Sequence, residues 1–397
     1  MTVRIEKPAF NLRDKLSELD KPVGLKGSEL MKSETSQEAR DFIGAGRKNK
    51  IINGAMLVSQ RRGTSSHTDS NGFHTDRFRT QVSGMDQLVQ TYQQVSDGPP
   101  GFPRSLKITT TTPETAIASS SEYLAVYQKI EGQNLQDFAY GTTSAKTITV
   151  SFYVKSSITG QFSYTVYRNE STDRAINKPY TINNANTWER KTITIEGDTV
   201  QAIGNGTGDN WWNVWILASS PGYMSAETSV WANYASGTNW AGFHKQNGVI
   251  TTNGATWQIT GVQIEVGENA TDFEHLSYAE DLALCQRYYW KPTGTHLHLG
   301  MWGHGVADTS GIRFQAYPWP VQMRTAPSLS YDDNAGNSSR VHVEHPDKTD
   351  HTNISVSWQV TSDGTDGGFK YPYGISGFSN GQAGDLIAYN FEANAEH

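Results

Sequence analysis

Residues 146–157, KTITVSFYVKSS, alternate apolar and polar positions. In an extended chain this puts Ile148, Val150, Phe152 and Val154 on one face. QFSYTVYRN repeats the pattern through Phe162, Tyr164 and Val166, and TWERKTITIEG through Ile193 and Ile195. WWNVWILAS divides evenly. Trp212, Val214 and Ile216 share one face, and Trp211, Asn213, Trp215 and Leu217 share the other. ATWQITGVQIEVG adds Val262, Ile264 and Val266. Turn-rich pieces such as GNGTGDN and ASGTNW separate the runs. Many short strands at this spacing predict a β-sandwich with jelly-roll connections over residues 51–276. The chain has no internal period, which argues against a parallel β-helix.

THLHLGMW, GIRFQAY, SLSYDD, RVHVEH, NISVSWQV and LIAYNFEA alternate too, so a second, smaller β domain is expected over 293–397. PWPVQMRTAPSLS, with three prolines, reads as a kinked loop leading into a strand. Between the two β regions lies YAEDLALCQRYYWKP. Ser277-x-x-Glu280 is a capping box, and Pro292 is a stop, so a linker helix is expected over 277–292. Leu282, Cys285 and Tyr289 form one stripe, with Leu284 and Tyr288 beside it. Two stripes imply burial on two sides, either against the helix's own sandwich or at a junction between copies of the chain. The first fifty residues differ: Lys, Glu, Asp and Ser dominate. Thr35-x-x-Glu38 and Gly44 bracket a short helix over 36–43 in an otherwise extended segment. That segment has too few apolar groups to bury a core alone and needs a partner.

Composition agrees with short strands and polar turns. Of 397 residues, 18% are charged, 36% hydrophobic and 11% aromatic, with 37 Gly. The formal net charge of −7 argues against duplex nucleic acid as a partner, because nothing neutralises a row of phosphates. One cysteine cannot form an intrachain disulfide. MTVRIEKPAFNLRDK lacks the apolar core of a signal peptide, and no window reaches the length of a membrane span. A soluble chain made in a cytosol is expected, with no membrane insertion.

Four segments carry a resemblance to bacteriophage tail fibre and receptor-binding proteins with a central carbohydrate-binding-module-like jelly roll. GLKGSELMKSETSQEARDFIGAGRKN resembles the virion-binding head. IINGAMLVSQRRG, followed by Asp76, Arg77 and Phe78, resembles the start of the central module. TWQITGVQIEVGENATDFEHLSYAEDLALCQRYYWK resembles the last jelly-roll strand passing into a Cys-Gln-Arg-Tyr-Tyr helix. QMRTAPSLS resembles the Met-Arg-x-x-Pro loop of the tip. The resemblance implies a homotrimer in the virion, assembled in the host cytoplasm. Residues 1–50 would attach to phage tail proteins, and the protein would recognise a host-surface glycan or other receptor without being an enzyme. The alternatives are a tailspike that cleaves polysaccharide and a structural fibre or adaptor.

Candidate binding residues are rings in polar surroundings, because a pyranose stacks its C–H face on a ring while its hydroxyls take amides and carboxylates. In the sandwich these are Trp231, Tyr234 and Trp240. In the tip they are Trp302, His304, Trp319, Tyr371 and Tyr373. Alternation places about half the rings between residues 211 and 257 in the core instead. His296 and His298 share a strand face and are weak metal candidates, set against a plain polar face. The acid pairs Glu265/Glu268 and Asp272/Glu274 have glycosidase chemistry but no cleft to hold it. GAGRKN lacks the Gly-Lys-Ser/Thr ending of a phosphate loop. No cofactor and no catalytic residue is expected. A structural calcium in the GDNWWN or ENATD turns stays open.

Overall fold

The alternating runs become strands, and their apolar faces meet. The computed structural model describes residues 47–115, 117, 122–223, 229–235, 248–294, 296–298, 306–308, 311–313, 319–344, 350–355, 357–360, 370–373 and 385–396. Residues 1–46 of the expected head segment, with its helix at 36–43, lie outside the described residues. Asn49–His397 form one compact unit, mainly β among the described residues.

Twelve strands build a two-layer sandwich. They are β1 (Phe73–Thr75), β2 (Phe78–Ser83), β3 (Val89–Val95), β4 (Ser105–Thr112), β5 (Tyr123–Ile130), β6 (Ile148–Ser156), β7 (Gly160–Arg168), β8 (Arg174–Ile182), β9 (Glu189–Ile195), β10 (Trp211–Ser219), β11 (Ala232–Asn233) and β12 (Thr256–Val266). One sheet has the order β1-β2-β5-β10-β7-β8-β11 and the other β3-β4-β12-β6-β9, with every pairing antiparallel. The chain crosses repeatedly between the layers. Phe152, Phe162, Tyr164, Trp211, Trp215 and Trp257 are fully buried between them. Each such side chain contributes roughly 1.5–3 kcal/mol relative to exposure. The Phe152 ring meets Trp215 edge-on at 5.8 Å.

Strand β12 carries two phases of apolar residues, Trp257/Ile259 and Val262/Ile264, and both reach the core. The register shifts between Thr260 and Gln263. Gly261, at φ +61°, absorbs the extra residue, and a Cβ there would lie 2.9 Å from the rings of Phe102 and Tyr153.

The INGAM stretch is a buried turn, with Asn53 and Met56 at positive φ. The Asn53 side-chain amide donates to the carbonyls of Val58 and Asp76 and accepts from the Val58 N–H. Gln128 of β5 pairs through its amide with both backbone groups of Ile52.

A single turn, α1 (Gly248–Thr251), precedes β12, and the linker helix α2 (Tyr278–Gln286) follows it. The capping box forms: Ser277 Oγ accepts from Glu280 N, and Glu280 Oε2 accepts from Ser277 N. The helix is shorter than the expected 277–292. Tyr289 and Trp290 instead form β13 (Tyr289–Trp290), paired with Asn394 and Ala393. The run Tyr-Tyr-Trp favours extended chain once a partner strand is present. The helix packs on the sandwich of its own chain. Cys285 and Tyr288 are buried with Ile52 and Val58, and Leu282 and Leu284 are half-buried against them. Tyr289, in β13, is also buried.

The C-terminal strands are β14 (His296–His298), β15 (Val306–Asp308), β16 (Gly311–Arg313), β17 (Ser328–Asp332), β18 (Arg340–Glu344), β19 (Asp350–Ser355), β20 (Ser357–Val360), β21 (Lys370–Tyr373) and β22 (Asp385–Asn394). Strand β22 pairs with β13, β14, β17 and β18. Beyond it, Arg324 of the QMRTAPSLS loop donates to the carbonyls of Ala395 and Glu396, and the Glu396 carboxylate meets Arg77. Among the described residues no helix is long and apolar enough to cross a membrane.

Candidate functional site

The outward face of the seven-stranded sheet is built by cross-strand register. Lys129, Trp212 and Tyr167 lie directly opposite one another on β5, β10 and β7. Arg79, Tyr127, Val214, Thr165 and Asn177 form the next row. Tyr123, Ala125, Tyr127, Val214 and Ile216 make a buried patch separate from the main core, with Trp212, Tyr167 and Tyr234 half-buried against it. The indole of Trp212 stacks on Tyr127 at 5.6 Å and 15°. Tyr167 meets Trp212 edge-on at 5.2 Å, and Tyr234 meets Tyr167 edge-on at 4.8 Å. A continuous row of rings results.

Polar groups border the row. Lys129 Nζ sits 3.6 Å from the centre of the Trp212 ring and donates to Asp209 at 2.8 Å. The Trp212 indole N–H donates to Asp209 O, and the Tyr167 hydroxyl to Asp173 Oδ2. Asn177 Nδ2 donates to Thr165 Oγ1. Burial lowers the Lys129 pKa, with Asp209 acting against the shift. Burial raises the Tyr167 hydroxyl, and the hydrogen bond and charge of Asp173 push the same way. The row is thus bordered by phenols, by Lys129 and by the carboxyl groups of Asp173 and Asp209, each of these two accepting a hydrogen bond from a side chain of the row.

The residues expected from sequence fall in several places. Tyr234 is part of the row. Trp231 is half-buried at the end of the main core, edge-on to Tyr140 and Trp211, and its N–H donates to Glu196 O. Trp319 looked like a loop ring but is only 7% exposed, because it packs edge-on against Trp290. Tyr371 and Tyr373 pair through β21 with Gln359 and Ser357. His296 and His298 pair through β14 with Tyr389 and Ile387. The side chains of these four, and Trp240, Trp302 and His304 altogether, lie outside the described residues. Among the described residues no group of three or more His, Cys, Asp or Glu is placed to hold a metal.

Two of the acids singled out in sequence serve the turn after β12. The Glu265 carboxylate accepts from Thr271 N and Oγ1, and Glu274 Oε2 accepts from Asn49 N. Cys285 is buried, which raises its thiol well above the ordinary value. Sequence reasoning left Trp212, Tyr167, Tyr127 and Lys129 out of the candidate site. The available signal was the phase of WWNVWILAS, which already separated Trp212 from the core pair Trp211 and Trp215.

No family model matches the chain, and no curated protein matches it. Solved structures with partial likeness include the enzymatically active domain of tailspike protein 4 of bacteriophage CBA120, at 12% identity over 55% of this chain and 21% of that one, with a TM-score of 0.30. A family 11 carbohydrate-binding module of a cellulosomal cellulase from Clostridium thermocellum aligns at 10% identity over 52% of this chain and 98% of its own, with a TM-score of 0.26. This chain thus spans about a fifth of the tailspike domain (21%) and almost all of the module (98%). TM-scores this low carry neither fold nor function from those proteins to this chain.

Proposed function

We propose that this chain is a host-recognition protein of a bacteriophage tail fibre, and that the ring row on the seven-stranded sheet binds a saccharide of the host surface. The row itself is the observation that carries the saccharide reading. Trp212, Tyr167 and Tyr234 are half-buried and contiguous, with a lysine and carboxylates beside them. Rings suit the apolar face of a pyranose, and the bordering groups suit its hydroxyls.

Support for the fibre reading comes from two of the four segments that carry the resemblance. They meet in one buried joint, where INGAM, the Asp76–Phe78 corner and helix α2 share hydrogen bonds and packing. In this reading the protein acts by binding rather than cleavage. The carboxylates beside the row, Asp173 and Asp209, are each bonded to a protein donor. Assembly as a homotrimer, attachment through residues 1–50 and a place in the virion complete the proposal. Three weak sites per fibre would raise effective affinity without tight single contacts.

The test is competition. Purified chain should block phage adsorption to host cells, and Trp212→Ala should abolish that block. Steady release of oligosaccharide from host polysaccharide would replace this reading with that of a tailspike enzyme. Absence of any competition would leave a structural fibre or adaptor.

A further inference from the structure

We infer that the saccharide taken by the ring row is acidic, and that the guanidinium of Arg79 receives its anionic group. This deepens, and rests on, the saccharide reading above. Arg79 lies opposite Tyr127 in the β2–β5 register, and its guanidinium carbon is 5.8 Å from the Tyr127 ring centre. Lys129 flanks the same ring at 5.9 Å. Two cations therefore bracket one end of the row.

They differ in what they meet. Lys129 is matched by Asp209. Arg77, behind it, is matched by Glu396. Among the described residues no carboxylate pairs with Arg79, which meets only neutral partners: its Nε donates to the carbonyl of Asn71 at 3.1 Å, and its guanidinium hydrogen-bonds the Tyr127 hydroxyl. Arg324, on the far side, likewise donates to carbonyls, those of Thr207, Ala395 and Glu396. This end of the row carries a cationic excess on a chain whose formal net charge is −7.

Arg79 meets no counter-charge among the described residues, and its bond to Asn71 is exposed, so its remaining N–H donors face solvent. A ligand that supplies the anion makes charge-assisted hydrogen bonds there in place of water. The planar fork fits a carboxylate or a phosphate in two-point fashion, which a lysine could not do. Because the chain as a whole repels polyanions, a local cationic end is also what an acidic polymer needs in order to approach.

The experiment uses the full chain on an array of bacterial surface polysaccharides. Each acidic member is spotted beside its carboxyl-reduced or dephosphorylated form. The native chain is expected to bind acidic members, to lose them on reduction or dephosphorylation, and to bind more weakly as salt rises. Which treatment abolishes binding tells carboxylate from phosphate. Arg79→Gln should weaken acidic binding by about tenfold and flatten the salt dependence, with Arg79→Lys between. Trp212→Ala should abolish binding. Equal binding to treated and untreated forms, or binding indifferent to Arg79→Gln but lost in Trp212→Ala, overturns the acidic assignment and leaves the saccharide reading standing. Binding to no member, or binding that survives Trp212→Ala, overturns both. Melting curves of the Arg79 variants confirm that fold is not what changed.

Discussion

Asp281 of helix α2 accepts a hydrogen bond from the backbone N–H of Asn53, 2.9 Å away in space and 228 positions away in sequence. Both residues are buried, Asn53 at 1% and Asp281 at 4% exposure. This bond ties the first turn of the sandwich to the helix that follows its last strand. Asp281→Ala would leave a buried N–H with no partner, which costs about 1–3 kcal/mol. Urea unfolding should show the midpoint falling with little change in slope. An unchanged midpoint would mean the turn holds the helix by packing alone.

Gly54, next in the same turn, approaches β12 so closely that Val262 N donates to its carbonyl. A Cβ on Gly54 would lie 2.2 Å from Val262 O. Because the obstacle is backbone, it cannot rotate away. Gly54→Ala should therefore destabilise by about 1–3 kcal/mol. Thermal melts of this variant beside Gly63→Ala make the check informative. A Cβ on Gly63 meets nothing within 4 Å, but its φ of +56° confines the cost to local strain.

Glu131 is fully buried and accepts from Arg287 Nε and Nη2, from the Tyr288 hydroxyl and from Gln133 Nε2. Burial pushes its carboxyl up, but the bonds from Arg287 and Tyr288 outweigh burial and hold it below the usual range. Arg287→Met removes two of the four donors and should cost about 3–5 kcal/mol, the cost of leaving a buried charge short of its partner. Adding Glu131→Gln to that variant should recover much of the loss. A double variant as weak as the sum of the singles would show that the two residues act independently.

The response to pH should contain two opposed contributions on one short segment. Burial, and secondarily the neighbouring His67, hold His74 well below its ordinary value of 6.5. His67 bonds its ring at 2.7 Å, Tyr92 stacks on it at 4.0 Å, and Arg62 and Arg79 add positive charge nearby. The fold thus favours neutral His74, a contribution present above pH 6.5 and lost as pH falls below it. Two residues on, burial raises Asp76 from 3.8 to about 6. The fold favours the protonated acid there, a contribution complete below pH 3.8 and lost as pH rises through about 6. Asp76→Asn removes the second contribution, so its stability should fall more steeply than the native chain's between pH 6.5 and 4. Parallel stability curves over that range would exclude this origin.

Much of the sandwich was legible because burial follows local alternation. Ile148, Val150, Phe152 and Val154 face the core, and the face split of WWNVWILAS holds from Trp211 to Leu217, after which a register shift brings Ala218 into the main core as well. The capping box at Ser277 and Glu280 is equally local. What escaped depends on partners distant in sequence. The end of α2 is set by β22, which captures Tyr289 and Trp290 as strand. Trp319 has polar-loop neighbours along the chain, but in space it faces Trp290. The ring row draws Lys129, Trp212 and Tyr167 from three strands, so only the register brings them together. Gly261 lets two phases of one strand reach the same core, a device that simple alternation reads as a contradiction.

Strand β22 is the common neighbour of β13, β14, β17 and β18, and it is translated after all of them. The sheet therefore cannot assemble in the order of its synthesis. On the ribosome its earlier strands wait with open edges until Asp385–Asn394 emerges, a delay in which a crowded nascent chain is exposed to mispairing.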